Sequence, residues 1–120
     1  MRELGAVRVP TRFIVERGLQ AKDRMPDYAY EKLLAVADSH LQAIHIAHEA
    51  GVALALGTDI STSGPDTAVP WGMNARELVH LVDAGPSPLE AIEAGTANRP
   101  LTLGPQAPRA GSSSADGMPI

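Results

Sequence analysis

The clearest pattern in the chain is a long amphipathic stretch over residues 27–50. Its apolar residues recur at spacings of three and four and form one stripe: Tyr30, Leu33, Leu34, Ala37, Leu41 and Ile44. Gly51 follows directly, where a helix commonly ends in a left-handed residue. The spacing therefore predicts a helix over residues 27–50.

Two shorter segments have the character of strands. Residues 52–56 (VALAL) are continuously apolar and lie between Gly51 and Gly57, which is typical of a strand buried on both faces. Residues 7–15 (VRVPTRFIV) are rich in β-branched side chains and predict an earlier strand, with Pro10 at its end or edge. Residues 18–26 are predicted to be a polar connection.

The second half of the chain begins with a loop over residues 58–72, rich in Ser, Thr, Gly, Pro and Asp. Asn74 and Glu77 have the spacing of a capping box, and Ser87, Pro88 and Glu90 form a stronger helix start. A short helix is predicted over residues 96–103. Residues 105–120 show no periodicity and are predicted to form a disordered tail.

The order strand, helix, strand, loop, helices predicts an α/β fold with a parallel sheet. Two strands can neither close a barrel nor cover both faces of a sheet, so the chain resembles part of a larger fold. We therefore divide it into residues 1–104, which belong to one incomplete domain, and the tail over residues 105–120.

Composition narrows the classes of function. The net charge of −4 over 120 residues argues against nucleic-acid binding, and the absence of cysteine excludes disulfides and thiolate metal sites. No apolar run reaches the length of a signal peptide or a transmembrane helix. These observations predict a soluble cytoplasmic protein that does not bind membranes.

Asp59 is the leading candidate for chemistry, because it follows the predicted strand over residues 52–56. Ligand sites of parallel α/β folds lie at the carboxyl ends of strands. A carboxylate there can bind a metal or accept a proton from metal-bound water. The alternative is a loop aspartate that caps a turn, and the position of Asp59 leaves both interpretations open.

Residues 50–59 (AGVALALGTD) resemble the final barrel strand of the amidohydrolase superfamily, in its imidazolonepropionase- and prolidase-like branch. The resemblance continues in order over further segments: 9–11 (VPT), 70–78 (PWGMNAREL), 81–92 (LVDAGPSPLEAI), 96–98 (TAN) and 101–104 (LTLG). It implies roughly the last two βα units of a (β/α)8 barrel, within residues 4–109. Trp71 departs from the family pattern, and the β-sandwich strands that follow in the family are absent.

The resemblance also implies a function. Such enzymes hydrolyse amide or other carbon–nitrogen bonds of small molecules with water activated by a divalent metal, zinc in the first place. The aspartate after their last strand, which binds the metal and shuttles a proton, corresponds to Asp59. The family's histidine and bridging ligands would lie upstream of this chain, so we expect the chain alone to bind no catalytic metal and to be inactive. A gene fragment or a mis-assigned reading frame would explain such a truncation.

Several other polar residues have competing interpretations. Thr58 is a candidate supporting partner of Asp59, and Asn74 a candidate substrate-loop residue, although helix capping also accounts for Asn74. His45 and His48 are three apart and could share a metal, but partly buried histidines are the simpler interpretation, as for His40. His80 is predicted to lie at the surface. A solvated face is predicted for four charged residues: Arg76, Glu77, Glu90 and Glu93.

The alternative function is of another class. The chain could be a small non-catalytic interaction module, or could self-associate, through apolar surface that a missing part of the barrel would otherwise cover.

Overall fold

A computed structural model describes residues 1–60, 64, 66, 67 and 69–104. Two short parallel strands, β1 (Val7–Arg8) and β2 (Ala53–Leu54), are joined by the helices α1 (Arg12–Gln20) and α2 (Asp27–Glu49). Helices α3 (Arg76–Asp83) and α4 (Pro88–Gly95) follow. Three 3-10 turns complete the order: Arg2–Leu4, Lys22–Arg24 and Arg99–Leu103.

The strands pair in register, with Val7 opposite Ala53 and Arg8 opposite Leu54. The described residues thus contain a small parallel two-stranded sheet joined by helices, whereas the α/β class and the partial (β/α)8 barrel stay predictions. The predicted strand over residues 52–56 is in the expected place but is shorter. Val52, Leu54 and Ala55 are buried. Val52 and Leu54 belong to the core cluster that side chains of α2, α3 and α4 complete.

The long helix α2 confirms the amphipathic pattern almost to the residue. Its buried positions are Ala37, Ile44 and Ala47, whereas Leu34 of the predicted stripe is 51% exposed. Gly51 adopts a φ of 66° just after the helix, as its position predicted. The core below α2 is built from small and aliphatic side chains: Ile44, Ala47, Val52, Leu54, Leu81, Ala84, Ala91 and Ala94.

The prediction of a strand over residues 7–15 was wrong beyond Arg8. Pro10 has no N–H to donate, and the chain turns there into α1. The helix occupies residues that were predicted to belong to the strand and, from residue 18, to the polar connection. The carboxylate of Glu77 accepts the first two N–H groups of α1, from Arg12 at 2.8 Å and Phe13 at 2.6 Å. A partner so far away in sequence cannot be read from local propensity, so β-branched Ile14 and Val15 gave the wrong element.

The predicted helix starts had different outcomes. The capping box of Ser87 and Glu90 is present, with Pro88 at the first helical position. Asn74 caps nothing: α3 begins after Ala75, without a side-chain cap, so that prediction was wrong. The short helix predicted over residues 96–103 is present as a 3-10 helix but begins later, at Arg99–Leu103. The predicted tail over 105–120 lies outside the described residues.

No helix among the described residues is long and apolar enough to cross a membrane.

Candidate functional site

The candidate site lies where the chain leaves the two parallel strands. The segments after β1 and β2 run so close together that a Cβ at Gly57 would collide with Cγ1 of Val9 and lie 3.7 Å from Cγ2 of Thr11. Glycine at this position therefore lets the two strand ends approach. This arrangement brings residues 9–11 and 57–60 to one edge of the sheet, where parallel folds place their ligands.

Asp59 is exposed at that edge and has a φ of 52°. Non-glycine residues seldom adopt this left-handed conformation, although aspartate does so more readily than most. The structure therefore leaves the Asp59 carboxylate accessible to a ligand.

Thr58 and Asn74 are brought together by a direct side-chain hydrogen bond. Asn74 Nδ2 donates to Thr58 Oγ1 at 3.1 Å, and Asn74 Oδ1 accepts the N–H of Gly72 at 3.3 Å. Gly72 itself has a φ of 93°, a conformation that suits glycine. The Asn74 side chain thus ties the loop before α3 to the residue next to Asp59.

Glu77 is the residue that sequence reasoning missed. It was predicted to lie on a solvated face, but its side chain is fully buried between α3 and the start of α1. Burial raises the pKa of Glu77 to about 7, although the hydrogen bonds from Phe13 and Arg12 and the Arg12 charge lower it. The Glu77 carboxylate thus joins α3 to the first turn of α1.

Arg12 extends this buried polar cluster toward α2. Its guanidinium donates to the carbonyl of Ala37 and pairs with Glu16 one turn along α1. His40 on α2 is partly buried, and burial, followed by the charges of Arg12 and Arg8, lowers its pKa. In the sequence, only the four-residue spacing of Arg12 and Glu16 could have indicated this cluster, because its other contacts join residues far apart in the chain.

The other two histidines of α2 differ in exposure: His48 is partly buried as predicted, whereas His45 is exposed, so its prediction as partly buried was wrong. The Nδ1 atoms of His45 and His48 lie near one point, 3.1 and 3.3 Å from where a Cβ on Gly85 would stand. Their Nε2 atoms face separate carboxylates, His45 that of Glu49 at 3.3 Å and His48 that of Glu90 at 3.2 Å. The Gly85 backbone therefore fills the space in which the two rings converge.

Two predictions about charged residues change with the structure. His80 is half-buried and stacks on Phe13 with ring centroids 5.8 Å apart, so its assignment to the surface was wrong. Glu90 is exposed as predicted, and hydrogen bonds from Ser87, followed by His48, lower its pKa to about 2.

Within the described part of the chain, no cluster of three or more His, Asp or Glu side chains could hold a metal ion. The four histidines lie on α2 and α3, and Asp59 lies in the segment that follows β2. A catalytic zinc requires about three protein ligands and a water. The described residues therefore do not by themselves fit a catalytic metal.

Comparison with known proteins gives a partial match to one enzyme, and no family model matches the chain. The chain is 44% identical over 113 residues to ochratoxinase from Aspergillus niger, and the same values hold for the protein from two strains of that fungus. The matched residues make up 92% of this chain but 22% of the ochratoxinase.

The backbone agrees with this sequence match. A crystal structure of A. niger ochratoxinase aligns with a TM-score of 0.75 and 45% identity, over 92% of this chain and 24% of that one. The chain is thus homologous to less than a quarter of a hydrolase-like protein and shares the fold of that part. A continuous stretch covering 92% of this chain includes position 59 wherever it begins.

Proposed function

We propose that this chain is part of a metal-dependent hydrolase that cleaves a carbon–nitrogen bond in a small amide-type substrate. The likeness to ochratoxinase carries the proposal, because it extends through the strand end that bears Asp59. The corresponding fold would be the last two βα units of a (β/α)8 barrel. In that setting the carboxyl ends of the strands, beside Asp59, would lie at the mouth of the barrel.

The role proposed for Asp59 is to supply one carboxylate to a divalent metal site, with zinc as the first candidate. Its exposure and its place after β2 support this role, as does the side-chain bridge from Asn74 to the neighbouring Thr58. The bridge would hold the turn at Asp59 in a single conformation, as supporting contacts of a metal ligand do. The remaining ligands would come from residues outside this chain.

By the same reasoning, the chain alone is assigned no activity. One carboxylate satisfies neither the coordination of a catalytic zinc nor the need for a second group to bind substrate. Hydrolysis would require the larger part of the enzyme that the ochratoxinase match leaves uncovered.

A chimera tests the proposal. The stretch of A. niger ochratoxinase that aligns with this chain is replaced by this chain, and hydrolysis of ochratoxin and of simple amides is measured. We expect activity in the chimera, and we expect Asp59→Asn to lower kcat/KM about a thousandfold or more, because the metal site loses a carboxylate.

Asp83→Asn is the matched control, since Asp83 is an exposed aspartate at the end of α3. It should retain the activity of the chimera within about twofold, as surface changes usually do. A folded chimera in which Asp59→Asn remains as active as the parent would contradict the role of Asp59.

A further inference from the structure

Trp71 is the one tryptophan of the sequence, and it lies in the loop between β2 and α3 with 63% of its surface exposed. Tryptophan side chains are large and usually well covered, because they carry more apolar surface than other residues. Among the described residues, the Trp71 side chain makes no hydrogen bond and no ring contact. Its indole is therefore available to a ligand.

The Asn74 side chain joins the backbone of Trp71 to the turn at Asp59. Asn74 Oδ1 accepts the N–H of the peptide between Trp71 and Gly72 at 3.3 Å. Asn74 Nδ2 donates to Thr58 Oγ1 at 3.1 Å. One amide group and two hydrogen bonds thus separate that peptide from Thr58, the residue before Asp59. Trp71 and the candidate metal ligand are therefore neighbours across a single side chain.

The loop that carries Trp71 is held at more than one point. Asn74 binds it at Gly72, and Arg24 Nη1 donates to the carbonyl of Asp66 at 2.6 Å, so the segment after α1 holds its middle. A side chain on a held loop loses less conformational freedom when a ligand binds than one on a free loop. Both contacts therefore favour Trp71 as a binding surface.

Val9 adds apolar surface to the same edge of the sheet. It is 45% exposed, and its Cγ1 atom lies against Gly57, two residues before Asp59. Small-molecule sites usually combine hydrophobic and aromatic surface with a few placed polar groups. The surroundings of the Asp59 carboxylate have this character, and they favour a substrate with an apolar group beside the bond that is cleaved.

The chemistry of the indole narrows that group further. Aromatic rings stack on one another in offset arrangements that stabilise the contact beyond the burial of area alone. An aliphatic group gains only the area term. An exposed indole next to a catalytic carboxylate therefore discriminates in favour of an aromatic ring.

We propose that Trp71 is a specificity-determining residue, which stacks on an aromatic group next to the scissile amide bond and so favours aromatic amides over aliphatic ones. The proposal rests on the proposed function for the reaction itself. It concerns the binding of substrate and not the metal role of Asp59.

The test uses the ochratoxinase chimera and two pairs of substrates. N-benzoylglycine is compared with N-acetylglycine, and N-acetylphenylalanine with N-acetylalanine, so that each pair differs by a phenyl ring on one side of the amide. We expect the chimera to prefer the aromatic member of at least one pair. Trp71→Ala should raise KM for that member about tenfold and leave kcat within about twofold, since stacking stabilises the bound substrate and the transition state alike.

Two further variants separate stacking from a general effect on the fold. Trp71→Phe retains a ring and should keep most of the preference. Leu89→Ala is the matched control, because Leu89 is 65% exposed on α4, outside the loop. It should leave each KM within about twofold. A chimera without aromatic preference, or one whose preference survives in Trp71→Ala, would overturn the proposal.

Binding is also measured without catalysis, from the fluorescence of Trp71. In the chimera, the signal is the difference between the parent and Trp71→Phe. We expect the preferred aromatic substrate to quench and shift it, and the aliphatic member of the pair to leave it unchanged. An indole that is already shielded from acrylamide in the ligand-free chimera would contradict the proposal, because the rest of the polypeptide would then cover it.

The isolated chain serves if the chimera does not fold, since all tryptophan emission then belongs to Trp71. We expect one of the aromatic amides to shift that emission at about millimolar concentration, as suits a weak contact with one ring. No shift with either aromatic amide would overturn the proposal.

The role of Trp71 and the proposed function can fail separately. A change in Trp71 emission without hydrolysis would uphold the binding of aromatic amides and refute the proposed function. Hydrolysis that depends on Asp59 but is indifferent to Trp71→Ala would uphold the proposed function and refute the role of Trp71.

Discussion

Glu77 on α3 accepts the backbone N–H of Arg12 at the start of α1, across a separation of 65 residues. The same carboxylate accepts the N–H of Phe13, so a side chain from α3 caps a helix that precedes it by more than half the chain. Helix N-termini carry unpaired donors and a partial positive charge, which a carboxylate satisfies. The contact joins the segments that follow the two strands.

Replacing Glu77 should destabilise the chain. Glu77→Ala leaves two buried N–H groups without an acceptor and opens a cavity, and we expect it to lower the free energy of unfolding by about 2–4 kcal/mol. Glu93→Ala, at an exposed glutamate on α4, is the control and should change it by less than about 0.5 kcal/mol. Urea denaturation at pH 6 measures both, and similar losses in the two variants would argue against the capping role.

The raised pKa of Glu77 predicts a dependence of stability on pH. An acid whose pKa is about 7 in the folded chain, against an ordinary value of 4.5, favours folding fully below the lower pKa. That contribution is lost as pH rises through 7, by about 3 kcal/mol in all. We expect Glu77→Gln, which cannot ionise, to lose less stability between pH 5 and pH 8 than the parent chain.

The comparison between parent and variant is needed because His40 acts in the opposite direction. The pKa of His40 is lowered, so its contribution to stability is present above the ordinary histidine pKa and is lost as pH falls. Subtracting the Glu77→Gln curve from the parent curve cancels His40. A difference that stays constant from pH 5 to pH 8 would show that Glu77 does not titrate in this range.

Gly85 should tolerate no side chain. Its φ is 128°, and an added Cβ would lie 3.1 Å from His45 Nδ1 and 3.3 Å from His48 Nδ1. We expect Gly85→Ala to lower the free energy of unfolding by about 2–3 kcal/mol, from backbone strain and crowding together. Gly104→Ala shares the positive φ, here 84°, but has open space around it. We expect Gly104→Ala to lose less unfolding free energy, measured by thermal denaturation, because it adds backbone strain without crowding. Equal losses in the two variants would rule out crowding by the histidines.

The bridge between Asn74 and Thr58 should control the order of the turn at Asp59. Thr58→Val keeps the shape of the side chain but removes the hydroxyl that accepts from Asn74. Loss of one such hydrogen bond costs about 1 kcal/mol, enough for about fivefold faster hydrogen exchange at residues 57–60. Thr102→Val is the control, because the Thr102 hydroxyl donates to the carbonyl of Arg99 within its own 3-10 turn, away from Asp59 in sequence. Exchange that stays unchanged in Thr58→Val would mean that the turn is fixed by the backbone alone.

The isolated chain should bind zinc no more tightly than about millimolar, because a single carboxylate is a poor site for this metal. Isothermal titration of the parent chain and of Asp59→Ala should give indistinguishable results. Micromolar affinity that disappears in Asp59→Ala would refute this prediction and would indicate that the chain assembles a metal site by itself.

Part of the fold could be predicted because its cause is local. The apolar spacing in α2, the glycine after it, and the Ser87–Glu90 capping box each follow from neighbouring residues. Asp59 was placed at a strand end by the same kind of reasoning, and its metal role stays a prediction. The false strand over residues 7–15 fails because a distant acceptor, Glu77, binds the N–H groups that begin α1. The false cap at Asn74 fails because its Oδ1 accepts the N–H of nearby Gly72 and its Nδ2 donates to the more distant Thr58.

The sequence by itself determined the long helix and the position of β2, because helical and strand periodicities are set by consecutive side chains. It also identified Asp59 as the candidate carboxylate. Only the tertiary structure decided that residues 12–20 form a helix and that Glu77 is buried. Each of these depends on which donors lack a local acceptor. Such donors are satisfied by whatever residue the fold brings near, and that residue lies beyond the range of any local pattern.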